Sequence, residues 1–200
     1  MSKLLKINAS LFSGNGQSSQ LTERFVAAWQ AGHPDTQVVE RDLAANPVPH
    51  LDGARFMAFV AKPEERSAEQ QAVVDFSDAL IAELRTADAI VIGLPMYNFG
   101  IPSQLKAYFD HIARAGVTFR YTANGPEGLI TGTKAYILAA RGGIYAGTPK
   151  DSQTAYVRDF LGFIGITDVE FVYAEGLNMG DESKSAALAK AHQSLAALTA

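Results

Sequence analysis

Apolar residues along the chain follow two patterns, short runs rich in β-branched residues and longer stretches with helical spacing. The short runs, which predict five buried strands, are residues 4–9, 37–42, 89–94, 134–140 and 168–174. Between them apolar residues recur three or four positions apart, as Leu21, Phe25 and Trp29 do. Strands that alternate with helices and have apolar centres are typical of a parallel α/β sheet covered on both faces. We therefore predict a single α/β domain over residues 1–200.

The helical spacing also gives approximate bounds for the helices. The first helix is expected to begin with Ser18 or Ser19 as its N-cap. The other predicted helices are residues 56–60, 70–85, 103–113, 151–163 and 181–198. Residues 43–68 are otherwise expected to be irregular. Residues 119–129, rich in Gly, Pro and Asn, are expected to leave the sheet.

Composition and charge exclude several classes of function. The chain has 200 residues, no cysteine and a net charge of −4, so thiolate sites are absent and a basic nucleic-acid-binding face is not expected. His33, His50, His111 and His192 lack metal-ligand spacing. No apolar run approaches the roughly 20 residues of a membrane span, and residues 1–7 lack the core of a signal peptide. We expect a cytoplasmic protein with no metal, membrane or nucleic-acid partner.

Three loops with distinctive chemistry follow predicted strands one, three and four. They are residues 10–18, 95–100 and 141–147. The carboxyl ends of parallel strands meet at one edge of a sheet, and α/β proteins bind ligands there. We therefore expect these loops to converge on one crevice.

The first loop is typical of a phosphate site. Small and hydroxyl-bearing residues let backbone N–H groups approach an anion at the positive end of the following helix. Ser10, Gln17 and Ser18 offer side-chain donors as well. An ordinary polar turn with an N-cap explains the same residues, so both interpretations stay open.

The second loop is typical of a site for a flat conjugated ring. Pro95 and Pro102 restrict the backbone at its two ends. The residues between them that offer polarizable, aromatic and amide groups are Met96, Tyr97, Asn98 and Phe99. A backbone N–H in this loop would meet the N5 atom of a flavin. Aromatic residues after a strand more often belong to the core, and that alternative remains.

The third loop places Gly142 and Gly143 directly after a strand, where bare backbone can approach a ligand closely. In a flavin site their N–H groups would face the O2/N1 edge of the ring, which becomes anionic on reduction. Arg141 has two interpretations, an electrostatic contribution to such a site or a surface ion pair. Tyr145 is expected to pack rather than to relay a proton.

These residues resemble a known family, the bacterial FMN-dependent NADH azoreductases of the flavodoxin-like quinone reductase superfamily. The similarity is carried by Pro95-Met96-Tyr97-Asn98-Phe99 and extends over nearly the whole chain. Further matching segments are residues 41–47, 113–121, 124–129 and 160–166. The resemblance implies a flavodoxin-like fold whose five-stranded parallel sheet has the order 2-1-3-4-5, with helices on both faces.

The resemblance also implies one FMN per subunit. The implied FMN contacts are Ser10, Gly16, Gln17, Ser18, Met96, Tyr97, Asn98, Phe99, Ala140, Arg141, Gly142 and Gly143. Two of these residues depart from the family pattern. Ala140 stands where some members carry Ser, so only its backbone can serve. Gly16 replaces a common Ser, which slightly reduces the number of phosphate donors.

The implied activity is that of an NAD(P)H oxidoreductase that reduces quinones by two electrons and cleaves aromatic azo compounds. NADH or NADPH would deliver hydride and leave before the acceptor binds in the same place, a ping-pong mechanism. Because the cofactor carries this chemistry, no side chain need be an acid or base, and we name no catalytic residue. The resemblance implies a homodimer with an active site at each subunit junction. Candidate aromatic walls for the substrate are Tyr121, Phe163, Phe59 and Phe56, for which ordinary core packing is the alternative.

Two other functions fit parts of the sequence. An electron-transfer flavodoxin would also bind FMN, but such proteins are usually strongly acidic, unlike a chain with a net charge of −4. A Rossmann dehydrogenase is suggested by Gly-Asn-Gly at residues 14–16 and by Glu40 and Asp42 at about the ribose-binding distance. Ser19 replaces the third glycine of that motif, which weakens this alternative.

Overall fold

The five apolar runs form one parallel sheet in the computed structural model, which describes residues 2–199. The strands are β1 (Lys3–Asn8), β2 (Gln37–Asp42), β3 (Ala89–Pro95), β4 (Phe119–Thr122), β5 (Gly125–Gly128), β6 (Lys134–Ala140) and β7 (Val169–Ala174). The order across the sheet is β2-β1-β3-β6-β7, and all neighbouring strands are parallel. Counted over the five predicted strands this is the order 2-1-3-4-5, so the predicted fold class and strand order are confirmed.

Within the described residues there are six α-helices, of which five cover the two faces of the sheet and the second packs on the third. They are α1 (Gln17–Gly32), α2 (Gly53–Val60), α3 (Ala68–Arg85), α4 (Ser103–Ile112), α5 (Ser152–Ile164) and α6 (Asp181–Leu198). Successive strand residues point to opposite faces, so Leu4 packs with α1 and α6 whereas Leu5 packs with α3, α4 and α5. The sheet therefore has a core on each side. Over residues 2–199 no helix combines the length and the apolar character that crossing a membrane requires.

Several helix starts differ from the expected ones because of their caps. The N-cap of α1 is Gly16, so Ser18 and Ser19 lie inside the first turn and their expected capping role is wrong. Ser67 forms a capping box with Gln70, so α3 begins before residue 70. The Asp52 side chain accepts from Arg55 N, so α2 is longer than residues 56–60 and residues 43–68 are less irregular than expected.

The predicted departure from the sheet after α4 is an antiparallel hairpin of β4 and β5, in which Phe119 lies opposite Gly128. The hairpin packs on the end of α5, where the ring centroids of Phe119 and Phe163 are 4.2 Å apart. It forms a separate two-stranded sheet, so β1, β3 and β6 remain direct neighbours in the main sheet.

Candidate functional site

The three loops come together at the carboxyl edge of β1, β3 and β6, which are neighbours in the sheet. An inner pocket of about 310 Å³ is lined by Ser10, Phe12, Asn15, Gly16, Gln17, Ser18, Pro95, Met96, Tyr97, Ala140, Arg141, Gly142, Leu177 and Asn178. An outer pocket of about 470 Å³ is lined by Met96, Asn98, Phe99, Gly142, Gly143, Tyr145 and Asn178. Met96, Gly142 and Asn178 line both, so the two pockets adjoin each other. All the FMN contacts implied by the resemblance line one pocket or the other.

The first loop is closed by its own hydrogen bonds. Phe12 N donates to Ser10 Oγ at 3.2 Å, and Gly16 N donates to Ser13 O at 3.2 Å. A Cβ atom added at Gly16 would lie 2.0 Å from Ser10 Oγ, so a serine here would require Ser10 to move. Ser10 therefore occupies the space that the family's serine at position 16 would need, which is consistent with glycine at this position in this chain. The Tyr97 hydroxyl of the second loop lies 3.5 Å from the same Ser10 Oγ.

Ser18 supplies a buried hydroxyl without a partner at the start of α1. Its side chain is 1% exposed and lines the inner pocket, yet Ser18 Oγ makes no hydrogen bond to any group of residues 2–199. A buried polar group left unpaired is destabilising, and the first N–H groups of a helix also need acceptors. An anionic ligand at the N-terminus of α1 satisfies both requirements. Ser19 Oγ is equally unpaired, but Ser19 lines neither pocket.

The second loop is a tight two-residue turn with left-handed backbone. Tyr97 N donates to Gly100 O at 3.1 Å, and Gly100 N donates to Tyr97 O at 3.0 Å. The φ angles of Asn98 and Phe99 are 51° and 65°, as in a type I′ turn, which prefers an Asn-Gly pair. Neither N–H of Asn98 and Phe99 donates to another group of residues 2–199. These N–H groups are free for a ligand in the outer pocket.

The Arg141 side chain is fully buried, so its interpretation as a surface ion-pair residue is wrong. Its guanidinium donates to Asp151 Oδ1 at 2.9 Å, to Glu175 Oε1 at 3.1 Å and to Gln153 Oε1 at 3.3 Å. It also lies 5.0 Å from the centre of the Tyr173 ring. Because these groups occupy the guanidinium, the pocket meets Arg141 mainly through its backbone.

The ion pair with Arg141 sets the protonation of Asp151. Burial alone would raise the pKa of Asp151, but hydrogen bonds from Arg141 and Thr154 outweigh this effect and lower the pKa below its ordinary value. Asp151 is also the N-cap of α5, because its side chain accepts from Thr154 N at 3.1 Å. The charged carboxylate thus serves the buried ion pair and the start of the helix together.

Glu175 holds the backbone of the third loop through hydrogen bonds to its side chain. Its Oε1 atom accepts from Tyr145 N and Ala146 N, both at 2.9 Å, in addition to Arg141. At Gly142 an added Cβ would lie 2.6 Å from Asn178 Nδ2, so glycine leaves room for this amide at the junction of the two pockets.

Four residues that the sequence did not predict as ligand contacts also line the inner pocket: Phe12, Asn15, Leu177 and Asn178. Asn178 follows β7, whose carboxyl end reaches the same edge as β1, β3 and β6. The loop after the fifth predicted strand therefore offered a signal of the same kind as the other three loops.

The residues predicted as walls for the substrate are not in either pocket of this chain. The Phe59 ring lies 4.8 Å from the Arg114 guanidinium, and Phe163 packs on Phe119. Tyr121 and Phe56, in contrast, are 75% and 54% exposed. A single chain does not bring these aromatic rings to the three loops.

A sequence profile of the flavodoxin-like fold matches residues 2–198. The chain belongs to this flavodoxin-like family. The strand order agrees, because β2 lies at the sheet edge beside β1 as in flavodoxin and not as in the Rossmann order. The family predicted from the residues of the second loop is confirmed.

This flavodoxin-like chain is similar to several curated proteins over nearly its whole length. It is 59% identical over 190 residues to an FMN-dependent NADH:quinone oxidoreductase of Cellvibrio japonicus, covering 95% of this chain and 96% of that protein. It is 58% identical over 197 residues to FMN-dependent NADH:quinone oxidoreductase 6 of Burkholderia lata, covering 98% of this chain and 100% of that protein.

Solved structures of azoreductases have the same fold. An azoreductase from Bacillus anthracis str. Sterne superposes with a TM-score of 0.91 at 31% identity, covering 100% of this chain and 99% of that chain. An FMN-dependent NADH-azoreductase from Bacillus anthracis str. Ames Ancestor, in complex with FMN, superposes with a TM-score of 0.88 at 27% identity, covering 100% of both chains.

Proposed function

We propose that this flavodoxin-like chain is a single-domain, FMN-dependent oxidoreductase that takes hydride from NADH and reduces quinones by two electrons. The observation that carries the proposal is that the two pockets adjoin each other and share Met96, Gly142 and Asn178. The inner pocket is lined by Ser18, whose hydroxyl is unpaired within residues 2–199, and the outer pocket is lined by Met96 and Phe99. A ligand with a phosphate at one end and a flat ring at the other fits both. The names of the similar proteins from Cellvibrio and Burkholderia support the same activity.

Each loop has a separate role toward FMN in this proposal. Ser10, Gly16, Gln17 and Ser18 bind the phosphate at the N-terminus of α1. Met96, Tyr97, Asn98 and Phe99 would hold the ring, and the free N–H groups of Asn98 and Phe99 would be available to it as donors. Ala140, Arg141, Gly142 and Gly143 offer backbone to the pyrimidine edge. Backbone N–H donors beside an edge that gains negative charge on reduction would stabilise that charge.

Bound FMN supplies hydride acceptance from NADH and two-electron delivery to the acceptor. The chain binds the cofactor, orients it and leaves one face of the outer pocket open. We propose that donor and acceptor use this face in turn, a ping-pong mechanism that extends to aromatic azo compounds and to NADPH as an alternative donor. The reaction belongs in the cytoplasm, where NADH is abundant.

We also propose that the active unit is a homodimer. Tyr121 and Phe56 are exposed on one chain, while the outer pocket is open to solvent. A second copy packed against this face would cover these aromatic side chains. It would also bring the predicted substrate walls, including Phe163 and Phe59, to the pocket of its partner, which one chain does not do for its own pocket. An active site at each subunit junction follows.

The activity is tested with apoprotein reconstituted with FMN. We expect a yellow protein, rapid loss of flavin absorbance on anaerobic mixing with NADH, and parallel double-reciprocal plots when NADH and a quinone are varied. Slow reduction by NADH with a stable one-electron state would support the electron-transfer flavodoxin instead. A colourless protein that does not take up FMN would overturn the proposal.

The dimer is tested by mixing two impaired variants. Ser18→Asp repels the phosphate, and Tyr121→Ser alters the proposed wall of the partner's pocket. Light scattering should give twice the mass of one chain. A mixture of the two variants should be more active than either alone, because one of the two sites in a mixed dimer is intact. A monomer, or a mixture no more active than its components, would refute junction sites.

A further inference from the structure

The turn at residues 97–100 is held by two side chains from the start of α5. Gln153 is 1% exposed, and its Nε2 atom donates to Pro95 O at 2.9 Å and to Gly100 O at 3.2 Å, one on each side of the turn. Ser152 Oγ donates to Phe99 O inside the turn. Neither Ser152 nor Gln153 lines the inner or the outer pocket.

The turn needs this support because its own sequence does not favour it. Both central residues have positive φ, which is unfavourable for side chains other than glycine and is tolerated better by Asn98 than by Phe99. The pair that prefers a type I′ turn is Asn-Gly, and Phe99 occupies the glycine position. Contacts from outside the loop must therefore hold the turn in its left-handed form.

Arg141 fixes the orientation of the amide that holds the turn. The guanidinium can only donate, so the oxygen of Gln153 must face Arg141 Nε, at 3.3 Å, and the NH₂ group must face the loop. Arg141 also pairs with Asp151, the N-cap of α5. The third loop and the second loop are thus linked through one buried amide.

We propose that Gln153 is a positioning residue for FMN, which holds residues 95–100 in the turn that presents free N–H groups to the flavin ring without touching the cofactor. The proposal rests on the placement of the flavin ring against this loop in the proposed function. It predicts that Gln153, by holding this loop, affects both the affinity of the apoprotein for FMN and the environment of the bound flavin ring.

The test is Gln153→Glu, which keeps the shape and the acceptor for Arg141 but removes the NH₂ donor. Its matched control is Gln193→Glu, the same change at an exposed residue of α6. FMN is titrated into each apoprotein by flavin fluorescence, and the visible circular dichroism of bound FMN reports the ring environment. We expect about tenfold weaker binding and an altered spectrum for Gln153→Glu, and less than a twofold change for Gln193→Glu. Equal dissociation constants for the two variants would overturn the proposal.

A second background separates positioning from a general loss of stability. Phe99→Gly puts the favoured Asn-Gly pair in the turn, so the loop should hold its shape without Gln153. In that background Gln153→Glu should weaken FMN binding by no more than about twofold. A tenfold loss in both backgrounds would show a general structural effect and overturn the proposal.

A milder variant covers the case in which Gln153→Glu does not fold. Ser152→Ala removes only the hydrogen bond to Phe99 O and should weaken FMN binding in the same direction, again less so with Phe99→Gly. Unchanged binding by Ser152→Ala, with Gln153→Glu unfolded, would overturn the proposal. Failure of the unsubstituted apoprotein to bind FMN would overturn the proposed function itself, whereas normal FMN binding by all the variants overturns only the role of Gln153.

Discussion

The loop at residues 10–18 and the loop at residues 95–100 line the same pocket but are held in different ways. Most hydrogen bonds of the first join near neighbours, such as Phe12 N to Ser10 Oγ, and its contacts with distant residues go to the Tyr97 hydroxyl, which accepts from Leu11 N at 3.3 Å. The second depends on Ser152 and Gln153, which contact it from 53 to 58 positions later in the chain. The end of the pocket suited to a phosphate is therefore built mainly from local bonds, whereas the end suited to a ring depends on the start of α5 and on the Arg141 ion pairs.

The largest expected effect comes from removing the buried charge that holds the second and third loops. Arg141→Met leaves Asp151 and Glu175 buried without their cation, which should lower the free energy of unfolding by about 3–5 kcal/mol. Urea unfolding measures this loss. Amide hydrogen exchange should accelerate at residues 95–100 and 141–147. It should change much less at residues 12–18, because their hydrogen bonds join near neighbours.

Arg120→Met is the matched control, since Arg120 forms a similar pair with Glu127 on the exposed hairpin. Surface ion pairs contribute little to stability, so this variant should unfold close to wild type. Equal losses for the two variants, or equal acceleration of exchange in all three loops, would contradict the contrast between a local and a remotely held loop.

The same contrast explains what could be predicted from the sequence. The strands, and the loops after strands one, three and four, were predictable because β-branched runs and their flanking residues are local signals. The left-handed turn was not, since Phe99 stands where glycine is expected. The burial of Arg141 was not either, because its partners Asp151 and Glu175 lie 10 and 34 positions away and no periodicity links them. Local sequence patterns therefore predict where the site lies, whereas polar contacts between residues distant in sequence determine its detailed structure.

A smaller effect is expected at the locally built end of the pocket. Ser18→Ala removes the unpaired hydroxyl that lines the inner pocket. Hydrogen bonds to charged groups are worth about 1.5–3 kcal/mol, so FMN affinity should fall roughly 10- to 100-fold. The apoprotein should not lose stability, because the hydroxyl has no partner within residues 2–199. Fluorescence titration and thermal unfolding measure the two quantities.

Ser19→Ala provides the comparison, because Ser19 Oγ is also buried and unpaired but lies outside both pockets. Its FMN affinity should equal that of wild type. If both serine variants lose affinity alike, the hydroxyls act through packing of α1 and the phosphate contact at Ser18 is refuted.

The smallest expected effect is a pH dependence carried by Asp151. Its pKa is lowered in the native protein, with the bonds from Arg141 and Thr154 outweighing burial, so the unfolded chain takes up a proton at a higher pH than the folded one. The stabilisation from the charged carboxylate is therefore complete above the ordinary pKa of 3.8 and is lost as pH falls through the lower native pKa. Asp151→Asn keeps an N-cap acceptor but removes the charge. The difference in unfolding free energy between wild type and Asp151→Asn should be constant at neutral pH and should shrink below about pH 4.

Asp52→Asn separates this effect from the titration of N-caps in general. Asp52 caps α2 and its pKa is also lowered, first by the hydrogen bond from Arg55 N, but Asp52 is exposed and its ion pair with Arg55 lies at the surface, where pairing contributes little to stability. Its removal should leave the acid dependence of unfolding nearly unchanged. Asp151 differs because protonation also leaves Arg141 with only Glu175 as a charged partner. In acid, the second and third loops should therefore lose protection from exchange before residues 10–18 do. Simultaneous loss of protection from exchange in all three loops would mean that the two ends of the pocket unfold as one cooperative unit.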